Sequence, residues 1–111
     1  MKNRKENILD VLNKLSDTSF QQDVWIKHSY WDRVLNIEEA INTLDDYSFF
    51  DDVDRIDESG FENLVELSKC LTIIDIPRNL EGFLNSPKWN QVVELSKKAL
   101  HEVKNNDSIF K

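Results

Sequence analysis

The sequence predicts an all-α fold, a small bundle of four to six helices, and three observations carry that expectation. Apolar residues recur at three- and four-residue intervals along most of the chain. Helix start and stop signals bracket those stretches. Only two Gly and two Pro occur in 111 residues, too few for the tight turns of a β-sandwich or small barrel. With 40% apolar and 10% aromatic residues, a chain of this length can fill a core without metal or disulfide staples. No linker or low-complexity stretch divides it, so residues 1–111 read as a single helical domain.

The first helix is expected from about Asn3 to Leu15, where Ile8, Leu12 and Leu15 make a stripe with Leu9 and Val11 beside it. Ser16-Asp17-Thr18-Ser19 then offers side-chain oxygens that compete for backbone hydrogen bonds, which stops the helix and starts another element. Phe20 to Tyr30 breaks any clean alternation; the Phe20/Val24 spacing favours helix. Val34, Ile37, Ile41 and Leu44 predict a helix over Trp31–Asp45, either continuous or restarted at Asn36, which forms a capping pair with Glu39.

Ser59-Gly60-Phe61-Glu62 has the form of a capping box. The stripe Leu64, Leu67, Leu71, Ile74 follows, and Pro77 requires an end near Asp75 or Ile76. The β-branched stretch around residues 71–76 leaves a short strand, and so an α+β fold, as the alternative. Arg78 to Leu84 reads as one or two helical turns ended by Asn85. Ser86-Pro87 opens the last helix, whose inner face is Trp89, Val92, Val93, Ser96, Ala99, Leu100 and Val103; Asn105-Asn106-Asp107 closes it. Val-Glu-Leu-Ser-Lys occurs at 65–69 and again at 93–97, each time after an aromatic residue. It reads as two helices meeting the same demands, since two copies are fewer than a solenoid needs.

Composition excludes several functions. A net charge of −7 disfavours nucleic acid and anionic lipid as partners. No apolar run is long enough to cross a bilayer or to form a signal-peptide core, and Cys70 is alone, which fits a reducing compartment. The expected location is therefore cytoplasmic. His28 and His101 are far apart, so no zinc spacing exists, and Gly60 and Gly82 cannot build a phosphate loop. A calcium loop starting at Asp52 would need an oxygen ligand where Ile56 stands and Glu where Asn63 stands. No metal, cofactor or catalytic set is expected, and the chain reads as non-enzymatic.

The charge itself is concentrated. Between Asp45 and Glu62 lie eight acids and one base, Arg55, while the rest of the chain holds 13 of each and cancels. Tyr47, Phe49, Phe50, Val53 and Ile56 are interleaved with those acids. Carboxylates steer a basic partner and pair with its Arg or Lys, while buried aromatics supply affinity. The expected partner-binding residues are Asp45, Asp46, Tyr47, Phe49, Phe50, Asp51, Asp52, Asp54, Asp57 and Glu58. The competing expectation turns Phe49, Phe50 and Ile56 inward as a plug for the bundle.

Asp45-Asp46-Tyr47-Ser48-Phe49-Phe50-Asp51-Asp52 resembles, in character, the acid-and-aromatic faces of the small immunity proteins of bacterial toxin–immunity and contact-dependent growth inhibition systems. That resemblance implies a one-to-one complex with a cognate basic toxin, often a nuclease, held at or beside its active site. Two rival readings are a helical adaptor with a groove at Trp25, Tyr30 and Trp31, and a nucleic-acid mimic. The mimic calls for acids spaced like phosphates along a helix.

Overall fold

The computed structural model of the chain describes residues 3–27, 34–57, 59–77, 79–106 and 109–110. His28, Tyr30, Trp31, Glu58, Arg78 and Asp107, all singled out from the sequence, lie outside them. Among the described residues there are seven α-helices, one π-helix and no strand. The helices are α1 (Arg4–Ser16), α2 (Thr18–Phe20), π1 (Gln21–Lys27), α3 (Val34–Asp46), α4 (Phe49–Asp54), α5 (Glu62–Ile73), α6 (Leu80–Leu84) and α7 (Pro87–Asn105). The all-α class is what the periodicity predicted. The alternative strand does not form: α5 runs to Ile73, and Ile74 turns extended three residues before Pro77.

In α7 the Ser86 hydroxyl accepts from the Trp89 amide, Pro87 takes the first turn, and all seven residues of the expected inner face are buried. The helix lies along the middle of the molecule, against α1 on one side and α5 on the other. α1 begins where Asn3 accepts from the Glu6 amide, and buries Ile8, Val11, Leu12 and Leu15. α3 passes Asn36 without a break and buries Ile37, Ala40 and Leu44. α4 then bridges α3 and α5. The result is a slab of 39 × 33 × 21 Å, about two helix diameters thick.

Three local expectations are corrected. First, Phe20/Val24 is not the inward pair of the second segment. Val24 is 38% exposed, while Gln21, Trp25 and Ile26 are buried. The wider π turn brings residues four and five apart onto one face, and Gln21 anchors it. Its amide nitrogen donates to the Lys14 and Leu15 carbonyls, 2.8 and 2.9 Å away, in the last turn of α1, where carbonyls lack the full set of helical partners. Trp25, a candidate groove residue in the adaptor reading, is instead in the core, with its ring 6.2 Å from Trp89 and 5.9 Å from Phe20.

Second, Ser59 does not cap α5. Phe61 occupies the cap position without a side-chain bond, and the Glu62 carboxylate reaches back to the Gly60 amide. The free amides of Asn63 and Leu64 are met by Glu102 of α7, at 3.2 and 2.8 Å. A carboxylate there also suits the positive end of the helix dipole. Because Glu102 lies near the end of α7 and meets the start of α5, these neighbours run antiparallel. Glu102→Ala is expected to cost about 1–2 kcal/mol, the worth of a charged helix cap, read as a lower urea midpoint with unchanged slope.

Third, the repeated pentapeptide does not pack alike in its two copies. Leu67 and Ser68 are buried in α5 with Val65 at the margin, whereas Val93 and Ser96 are buried in α7 with Leu95 at the margin. The two helices are rolled differently about their axes, and the shared feature is the serine. A small hydroxyl on the inner face lets helices approach closely, and Ser96 satisfies its own by donating to the Val92 carbonyl.

Candidate functional site

The acidic segment comprises the end of α3, a two-residue turn, α4 and the strand-free stretch that follows. Helical periodicity sorts its side chains. Phe49 and Val53 stand one turn apart and both are buried, which turns Asp51 and Asp54 outward on the opposite face of α4. Asp45 and Asp46 are exposed in the last turn of α3, and Asp57 is exposed beyond α4. Arg55 is also exposed. These five aspartates, Arg55 and Glu62 are the exposed charges of the segment among the described residues.

The aromatic residues do not share that surface. Phe49 is fully buried, with its ring 5.5 Å from Phe110 in a stacked arrangement and 5.2 Å from Phe50 edge-on. Tyr47, Phe50 and Ile56 are half-buried and pack against the same core. The expectation that Phe49 anchors a partner is therefore corrected: its ring is the plug that holds α4 down. A six-residue helix needs such a plug, since it cannot stand alone in water.

Asp52 also leaves the group of outward carboxylates, because it pairs with the Arg4 guanidinium. Arg4 further donates from Nε to the Tyr47 carbonyl at 2.7 Å and lies 5.6 Å from the centre of the Phe110 ring. One side chain from the start of α1 thus ties together the turn before α4, α4 itself and the segment at 109–110. No spacing in the sequence links Arg4 to these partners, 43 and 48 positions away. Ser48, within the same turn, takes a left-handed backbone at φ 60°, a conformation disfavoured for side chains larger than glycine's.

Other chemistry is sparse. Among the described residues no three His, Cys, Asp or Glu side chains group as a metal site would need, and no helix is long and apolar enough to cross a membrane. The Cys70 thiol is half-buried, and burial together with the Glu66 carboxylate pushes its pKa up, the opposite of what a reactive thiolate requires. Glu62, bonded by its own amide and that of Gly60, is held below the ordinary carboxylate range. Its hydrogen bonds therefore favour the fold above that range and are lost as the pH falls through the lowered value.

Two clefts open on the surface. The larger, about 440 Å³, lies between α1, π1 and α3, with Lys14, Trp25 and Glu39 among its walls. The smaller, about 290 Å³, lies between α3 and the end of α5. Comparison with protein-family models, with curated proteins and with solved structures finds no match for the chain. The functional reading therefore stands on the surface itself.

Proposed function

We propose that the chain is a non-enzymatic inhibitor of the immunity type, which binds a basic toxin domain, such as a nuclease, in a one-to-one complex. The supporting observation is the row of outward carboxylates, Asp45, Asp46, Asp51, Asp54 and Asp57, with Arg55 as the exposed base among them. Like charges this close oppose one another, and a partner rich in Arg and Lys relieves that opposition while being steered to it. The support beneath the row is fixed by Phe49, Val53 and the Arg4–Asp52 pair, so little ordering cost remains for binding. Tyr47 and Phe50 contribute through their exposed edges. Phe49 contributes only by holding the helix.

Asp51→Lys combined with Asp54→Lys is the direct test. Each change adds two charge units, which takes the chain from −7 to −3. Association with a basic toxin domain, followed by stopped flow over a salt series, is expected to slow by about tenfold at low salt and to lose most of its salt dependence. Both positions are exposed, so the thermal midpoint should barely move. Unchanged association by this variant would remove α4 from the interface.

A further inference from the structure

The smaller cleft deepens that reading. Ile41 of α3, Leu71 in the last turn of α5, and Ile74 and Ile76 beyond it line a groove of about 290 Å³. Leu71 is buried and the three isoleucines are half-buried, so aliphatic side chains line the groove beside Glu38, Asn42 and Asp75. Ile73, beside it in sequence, is 81% exposed. Apolar surface is thus kept in water beside a concave shape.

The charges around the groove identify what covers it. Glu38 and Asp75 are among its lining residues, and both are acidic. α3 carries no base along its length, and Glu38 and Asp45, seven residues and so about two turns apart, share one face of it. The rim is thus continuous with the acidic row of the proposed interface. Nucleic acid or an anionic bilayer would meet repulsion at this rim. A basic protein segment meets attraction and supplies an apolar side chain.

We propose that this groove receives an aliphatic or aromatic side chain from a basic segment of the protein partner, with flanking Lys or Arg resting on Glu38 and Asp75. The proposal rests on the inhibitor reading above and provides the apolar anchor that Phe49 does not.

The test uses the full chain labelled at isoleucine methyl groups and two synthetic peptides of equal positive charge. One carries leucine between lysines; the other carries serine at those places. The leucine peptide is expected to shift the Ile41, Ile74 and Ile76 signals while the fully buried Ile8 and Ile37 stay in place. Ile74→Ser should weaken that peptide by about tenfold or more, the worth of one apolar side chain, with the Ile8 and Ile37 signals reporting an intact fold. Ile74→Leu should retain binding.

Equal affinity for both peptides, with changes confined to the neighbourhood of Asp51 and Asp54, would overturn the groove and leave the acidic row standing. Binding of neither peptide would overturn both. Concentration-dependent pairing of the chain that Ile74→Ser abolishes would assign the groove to a second copy, and that too overturns the proposal.

Discussion

Gln21→Leu is expected to lower the free energy of unfolding by about 2–4 kcal/mol, despite replacing a polar side chain in the core with an apolar one of similar size. Gln21 is 1% exposed. Its nitrogen serves the Lys14 and Leu15 carbonyls, and its oxygen accepts from the Trp89 indole at 2.9 Å. Leucine would leave the indole N–H buried without a partner and return two helix-end carbonyls to poor satisfaction. Each such group costs about 1–3 kcal/mol, but the Lys14 carbonyl keeps a bond from the Asp17 amide, so the total falls short of three full penalties. Urea unfolding should show a lower midpoint with the slope unchanged. Adding Trp89→Phe to the leucine variant removes the stranded donor, so the pair should lose less than the sum of the singles. Strict additivity would show that the bond between the two side chains carries no weight.

Phe49→Ala should be costlier still, about 3–5 kcal/mol, as for other fully buried aromatics. The ring fills the space between Phe50 and Phe110 and fastens α4, so its removal leaves a cavity beneath the acidic row. Phe49→Leu fills most of that space and should cost about 1.5 kcal/mol or less. The same two variants separate packing from recognition. If Phe49 acts only through α4, Phe49→Leu binds a basic partner as the parent does, and thermal denaturation is the measurement that moves. A leucine variant with an unchanged melting temperature and lost binding would return the ring to the interface.

What the sequence disclosed, and what it withheld, divides along a physical line. The inner face of α7 was legible to the last residue because a long helix with a cap, a first-turn proline and seven periodic apolar positions leaves little freedom. α1 and the body of α3 follow for the same reason. In contrast, π1 was legible as helix but its inward face was not, because Gln21, a polar side chain, is the anchor, and periodicity counts only apolar ones. The α5 cap was misread because the local candidate, Ser59, lost to Glu102, a residue 38 positions from the amide it serves. In the acidic segment most of the described carboxylates were legible as exposed, since so many could not be buried together, whereas the pairing of Asp52 with Arg4 was not. The direction of the rings was not. A Phe-Phe pair beside Asp-Asp fits either face until the spacing of Phe49 and Val53 is read as one helical turn on the core side.

The pinning of α4 has a consequence for how its surface answers to change. The Arg4 guanidinium reaches it from α1 and the Phe110 ring from the segment at 109–110, so its electrostatic layout is set by residues remote from it in sequence. An alteration at Arg4 or Phe110 would tilt or release the platform and redraw the negative field without removing a single carboxylate.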